Sequence, residues 1–220
     1  MNENTVTLAE IAVAHPAAAR VFYANRLDFC CGGRRPLADV CRERGLDAGA
    51  ILDAIRREEA TAEPTTRWEL EPLETLVDHI VTHYHHRLRE SLPNLLRMAS
   101  RVEERHSDKV SCPVGLAALL AQVERSVLDH LEKEETILFP AIVRGAGARA
   151  SGAVDVMERE HEHHKADLLR IRALTSELTP PVEACTTWRA LYTGLQQLEQ
   201  ELMEHIHLEN NILFRRALAA

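Results

Sequence analysis

The decapeptide HLEKEETILF, residues 130–139, returns 75 residues later as HIHLENNILF, residues 205–214. In each copy a histidine is followed four residues on by a glutamate, and both fall inside a helical apolar stripe. At ~100° per residue, Leu116, Leu119, Leu120, Val123, Val127, Leu131, Ile137 and Leu138 share one face, with His130 and Glu134 among them. The second copy places His205 and Glu209 among Leu191, Leu195, Leu198, Leu202, Ile206, Ile212 and Leu213. A carboxylate in a buried stripe is costly unless it is paired or coordinated. Two of them in equivalent places require a shared partner, so the fold must bring the two stripes together.

Four long periodic segments can do this: residues 72–105, 113–143, 152–178 and 186–214, separated by the turn-rich HSDKVSCP, RGAGARASG and TPPVEACT. Pro93 is expected to kink the first. With aromatics at 4% and only 9 glycines in 220 residues, the composition agrees with a mostly helical chain. The expected fold is all-α, an antiparallel up-down four-helix bundle over residues 73–220. A small helical N-terminal domain, residues 1–60, precedes it, with pieces at Thr7–Ala14, Pro16–Arg26, Leu37–Arg44 and Asp47–Glu59. TAEPTTRWELEP, residues 61–72, reads as the linker.

The other two bundle helices add to the polar set. On the first, Leu73, Val77, Ile80, Val81, Tyr84, Leu88, Leu92 and Leu95 define the buried face; His85 borders it, while His79 and His86 point away and His83 lies to one side. On the third, Val154, Met157, Leu168 and Ile171 define the face, and Glu160, His161 and His164 fall on it; His163 and, on the fourth helix, His207 fall on outer faces. His85 precedes His130 by 45 residues and His161 precedes His205 by 44. The bundle therefore reads as two tandem helical hairpins, each carrying one His and then one His-x-x-x-Glu. Four imidazoles and two carboxylates converging from four helices make a dinuclear metal site. Glu134 and Glu209 are placed to bridge, and coordination positions stay open for small molecules. Nitrogen and carboxylate donors without thiolate suit iron ahead of manganese or zinc. For Glu160 two roles stand: orienting a ligand imidazole, or lining a route for iron or protons.

Cys30-Cys31-Gly32-Gly33 is a second motif. Adjacent cysteines do not form an ordinary disulfide, and two glycines allow positive φ, so a sharp exposed turn presenting reactive thiols is expected; a pair of buried small residues ending a helix is the alternative. Cys41, Cys112 and Cys185 read as inert. The odd total of five cysteines is no secreted framework, the N-terminus lacks a signal-peptide pattern, and no apolar run approaches the ~18 residues of a membrane span. A net charge of −8 without a basic block argues against nucleic acid. The protein is expected in the cytoplasm with its thiols reduced.

The four-helix portion resembles hemerythrin-like domains. With DFCCGG (28–33), HYHHR (83–87), HLEKEETILFP (130–140), VMEREH (156–161) and LMEHIHLENNILF (202–214), the chain is similar to the Repair of Iron Centres (RIC) family of the ScdA and YtfE types from about Leu8 to Leu218. The resemblance implies a cytoplasmic stress-response protein that binds two non-haem iron ions, carboxylate-bridged and oxo-bridged when oxidised. It matches the ligand histidines to His85, His130, His161 and His205 and the bridging glutamates to Glu134 and Glu209. The implied function is repair of iron-sulfur clusters damaged by nitric oxide or oxidants, by supplying iron rather than by catalysis, with no catalytic residue assigned. Its partners would be the damaged proteins, with nitric oxide or O2 as small ligands; a homodimer is allowed. A nitric oxide reductase working at the di-iron centre and a hemerythrin-like sensor of O2 or nitric oxide are the alternatives. The chain departs from hemerythrin proper, whose fifth histidine on this helix is replaced by Lys165. His164 reads as an accessory histidine beside the ligands rather than a seventh one.

Overall fold

The computed structural model describes residues 5–61 and 65–219; residues 62–64 of the expected linker lie outside that range. Eight helices and no strand are found among the described residues. The first four are short: α1 (Leu8–Ala14), α2 (Ala18–Ala24), α3 (Leu37–Arg44) and α4 (Ala48–Thr61). Thr7 caps α1 in a capping box, its hydroxyl accepting from the Glu10 N–H at 3.2 Å while the Thr7 N–H donates to the Glu10 carboxylate at 2.8 Å. Gly45, at φ 67°, closes α3 in the left-handed conformation that lets a helix end sharply. Leu8, Phe22, Leu27, Phe29 and Leu37 fill a core shared by these helices, and Met203 of the bundle packs against it.

Beyond them come four long helices: α5 (73–106), α6 (116–143), α7 (Ser151–Leu174) and α8 (186–219). α5 runs through Pro93 without losing its helical course. The expected third segment stops short, because Ser176, Glu177 and Leu178 all take positive φ and turn the chain away.

The bundle core is two apolar clusters rather than one. Along α5 the chain passes from the cluster of Leu76, Ile80 and Tyr84 to that of Leu88, Leu92 and Leu95. Along α6 the order reverses, from Leu116–Leu131 to Leu138–Ile142; α7 runs as α5 does, and α8 as α6 does. That alternation is what an antiparallel up-down bundle produces. At the level where the clusters part, each helix carries the polar residues that the sequence repeat marks: His85, His130 and Glu134, His161, His205 and Glu209.

Three of the four helices are not regular there. π-helical turns occupy Ile80–His85, Glu134–Leu138 and Glu209–Leu213, each inserting an extra residue and rotating the residues beyond it. A uniform 100° wheel does not survive this. Ile137, expected inside, is 63% exposed, while Leu138 takes the buried place. Its counterpart Ile212 remains buried, since α1 packs against the π turn of α8.

Candidate metal centre

His85, His130, Glu134, His161, His205 and Glu209 are all 1% exposed or less. Their donor atoms form two four-membered groups, His85–His205–Glu134–Glu209 and His130–His161–Glu134–Glu209, within which all lie inside 4.8 Å of one another. The glutamates belong to both. Glu134 reaches His130 Nε2 at 3.4 Å with one oxygen and His85 Nε2 at 3.5 Å with the other. Glu209 sets one oxygen 2.8 Å from His205 Nε2 and the other 3.2 Å from His161 Nε2.

The surroundings fix which way three of the four imidazoles face, while His205 Nδ1 has no partner. His85 Nδ1 lies 2.7 Å from the Glu135 carboxylate, His130 Nδ1 lies 2.8 Å from that of Glu160, and His161 Nδ1 lies 2.8 Å from the Asn210 side-chain oxygen. Each partner is an acceptor, so each Nδ1 carries the proton and each Nε2 turns its lone pair inward. His130 and His161 thereby oppose Nε2 atoms at 3.0 Å, and His85 and His205 do so at 3.1 Å. Both oxygens of Glu134 and one of Glu209 are buried without a hydrogen-bond partner. Inward lone pairs and unpartnered carboxylate oxygens at full burial form a donor set suited to cations. Bound divalent ions would satisfy both.

Protons are drawn toward the same place. Burial opposes charge on His130, yet the Glu134 and Glu209 carboxylates and the hydrogen bonds to Glu134 and Glu160 raise its pKa to about 9. Glu209, though buried, is held well below the usual carboxylate range by His205, His161 and His85. His205 is pushed down by burial, only partly offset by Glu209.

The supporting residues obey the internal repeat. Glu135 comes directly after Glu134 and holds His85; Asn210 comes directly after Glu209 and holds His161. Glu160, just before His161, holds His130 and is itself tied to Lys133 at 2.7 Å. Its counterpart Tyr84, just before His85, lies parallel to the His205 ring at a centroid distance of 5.8 Å instead. Sequence reasoning placed Glu160 beside His161 and missed Glu135 and Asn210. Their position directly after each glutamate was the available clue, hidden because a regular helix turns that residue away. His164 lies outside both donor groups. It is buried edge-on to His130 at 5.0 Å with neither ring nitrogen partnered, and burial with the nearby imidazoles lowers its pKa to about 2.

Several expectations about the other histidines and the cysteines are corrected. His79, expected to point away, stacks on Trp68 at 4.1 Å and on His83 and is half-buried, whereas His86 and His163 are exposed as expected. His207 is buried, because Phe29 packs edge-on to it at 5.4 Å and Asn211 bonds its Nδ1. The N-terminal helices cover a face of α8 that a wheel reads as outer. Cys30 is 3% exposed rather than presented, and Cys31 is half-buried. The hydrogen bond to Cys31, with burial beside Asp28, holds the Cys30 thiol well above its ordinary range. Gly32 and Gly33 do not take positive φ. They are needed for space: a Cβ on Gly33 would lie 2.5 Å from the Phe29 carbonyl oxygen and 2.9 Å from the Ala9 side chain.

The turn lies against the bundle. Lys165 pairs with Asp28 at 2.6 Å. Asn211 donates to the Phe29 and Cys30 carbonyls at 3.0 and 3.3 Å. Asp28, Cys30 and Cys31 bring their own donor atoms within 4.8 Å. Cys31 opens into a cleft of about 480 Å³ lined by Arg34, Glu158, Glu162 and His163.

Comparison with known proteins agrees with this architecture. The Hemerythrin HHE cation binding domain family matches residues 76–217, and a domain of unknown function (DUF542, the ScdA N-terminal domain) matches residues 4–59. The iron-sulfur cluster repair proteins YtfE of Yersinia pseudotuberculosis serotype O:1b (strain IP 31758) and Yersinia pestis (strain Pestoides F) are each 45% identical over 221 residues, 99% of this chain and 99% of theirs. With a buried His/Glu centre in a four-helix bundle and a likeness that runs its full length, the chain belongs to the hemerythrin HHE family and, within it, to the family of these YtfE proteins.

Proposed function

We propose that the protein holds two iron ions and serves in the repair of iron-sulfur clusters damaged by nitric oxide or oxidants, with iron as its cargo. His85 and His205 would hold one ion, His130 and His161 the other, and Glu134 and Glu209 would be shared. The observation that supports this most is the pair of four-donor groups built on two common carboxylates at full burial. The relatives' name supplies the process. Bound iron would supply redox-active, exchangeable centres with positions for small ligands such as nitric oxide or O2. The chain's own residues set the terms: Glu135, Glu160 and Asn210 fix the tautomers, the two apolar clusters exclude water on either side, and two carboxylates offset only part of the charge of two cations. That residual positive charge in a dry core favours anionic ligands and leaves the ions releasable. The Asp28–Cys30–Cys31 turn would meet a recipient through Cys31, which opens into a surface cleft.

Anaerobic incubation of the iron-loaded protein with nitric oxide and a reductant, and then addition of a nitric-oxide-damaged cluster enzyme, tests the reading. Recovery of the enzyme with matching loss of iron from the protein is expected. Catalytic nitrous oxide formation with iron retained and no recovery would replace it with a nitric oxide reductase. In the same assay, Cys30→Ser with Cys31→Ser is expected to keep its iron and lose repair.

A further inference from the structure

We propose that Asn210 couples the Cys30–Cys31 turn to the ligand imidazole of His161, so that filling the metal centre changes the reactivity of the Cys31 thiol and modification of that thiol changes metal affinity in turn. The inference rests on the reading of the six buried residues as a metal centre, and adds a link between that centre and the N-terminal domain.

The chemistry of one amide makes the link. Asn210 Nδ2 donates to the Cys30 carbonyl oxygen at 3.3 Å, and Asn210 Oδ1 lies 2.8 Å from His161 Nδ1. A carbonyl oxygen cannot donate, so Cys30 dictates which end of the amide faces it. The oxygen is left for His161, whose Nδ1 must then carry the proton and whose Nε2 must face the centre. Backbone position at Cys30 thus sets the tautomer of a ligand two bonds away along a hydrogen-bonded chain. Asn210 is 8% exposed, so water offers it little substitute for either partner.

The turn is built to transmit rather than absorb a displacement. Asp28 accepts from the Cys31 N–H at 3.1 Å and grips Lys165, one helical turn beyond His161 on α7. Gly32 and Gly33 have no free volume beside Asp28 and Phe29. A group added to Cys31 enters the cleft that Asn210 itself lines, and any shift of the turn that it imposes moves the carbonyl that Asn210 holds. The repeat supplies the contrast. In the first hairpin the equivalent residue, Glu135, holds His85 but takes its second bond from Arg89 of the same hairpin at 2.8 Å. Of these two residues, only Asn210 reaches into the N-terminal domain.

Coupling between two sites is reciprocal, which gives the experiment two arms. In the first, Cys31 alkylation by iodoacetamide is tracked by residue-resolved mass spectrometry in the metal-free and Fe(II)-loaded full chain under anaerobic conditions, with exposed Cys185 as the internal standard. Loading is expected to slow Cys31 about 5-fold or more relative to Cys185. In the second, the equilibrium affinity for Fe(II) is measured by chelator competition before and after Cys31 alkylation, with weaker binding expected. Asn210→Ala and Asn210→Asp should abolish both effects; the aspartate keeps an acceptor for His161 but loses the donor to Cys30. Asn211→Ala, which loosens the turn without touching His161, should keep the metal dependence. Equal Cys31 rates in metal-free and loaded wild type would overturn the coupling while leaving the metal centre intact. So would an undiminished dependence in folded Asn210→Ala. A chain that binds no metal would overturn the reading beneath it, and the coupling with it.

Discussion

Replacing Glu209 with Ala tests the shared-carboxylate reading most severely, because one substitution strips a donor from both four-membered groups. In the native geometry the two oxygens of Glu209 serve different imidazole pairs, at 2.8 Å from His205 and 3.2 Å from His161. Its loss leaves each group with two imidazoles and one oxygen of Glu134. The residual positive charge of a filled centre rises by one, among six residues of which none is more than 1% exposed. Removing one partner from a buried ionic contact costs about 3–5 kcal/mol, which at ~1.4 kcal/mol per decade is a loss of roughly 100- to 4000-fold in affinity. Thermal unfolding reads this directly. Metal at about 100 times its Kd stabilises the wild type by ~2.7 kcal/mol, or roughly 5–11 °C for a chain of this length. At the same concentration a 100-fold weaker variant gains only ~0.4 kcal/mol, about 1–2 °C. Metal content after gel filtration against an equimolar chelator gives the independent measure, with exposed His86→Ala as the control; His79, stacked on Trp68, is unsuitable for that purpose. Two retained metals and a wild-type thermal shift in Glu209→Ala would refute the assignment of that carboxylate to both ions.

Loss of the orienting partners should be milder: Glu135→Ala and Glu160→Ala are each expected to weaken metal binding by about 10–100-fold, measured by competition with a chelator, and an unchanged affinity would deny them that role. Gly33→Ala should cost about 1–3 kcal/mol by overpacking, while Gly152→Ala, a helical position with open space around it, should be neutral or gain up to ~1 kcal/mol; equal melting temperatures would show that Gly33 is not there for close packing. His207 is held neutral, its pKa lowered to about 4 by burial. Its contribution to stability is therefore complete above ~6.5, the unfolded value, and falls away as pH drops from there through about 4, by ~3 kcal/mol at most. Urea unfolding of the metal-free protein at pH 7.5 and 4.5 should show a larger loss for wild type than for His207→Gln, and equal losses would contradict the neutral burial. Limited proteolysis is expected to cut first between Ala60 and Pro72 and leave the metal bound, with the pieces held together by contacts such as Asp28–Lys165; release of metal on cutting would show that the N-terminal helices complete the centre.

The convergence of the six candidate residues was legible in the chain itself. A glutamate and a histidine one turn apart inside an apolar stripe, present twice at matching distances from a further histidine, leave little freedom. Amphipathic period fixes the face, the cost of buried charge demands convergence, and the repeat supplies the register. All-α class, bundle topology and the six residues come from those local rules. What escaped was whatever depends on atoms distant in sequence. The π turns at His85, Glu134 and Glu209 break the uniform wheel, which is why Ile137 faces water and why Glu135 and Asn210 turn inward to hold His85 and His161. The docking of the first four helices decides that His207 is core and that Cys30 is covered. It also decides that the glycines of the motif provide room rather than left-handed backbone. Periodicity describes one helix against an unspecified inside. Only the packed structure states which second surface lies against its other face, and here that surface is what joins the cysteine turn to the centre.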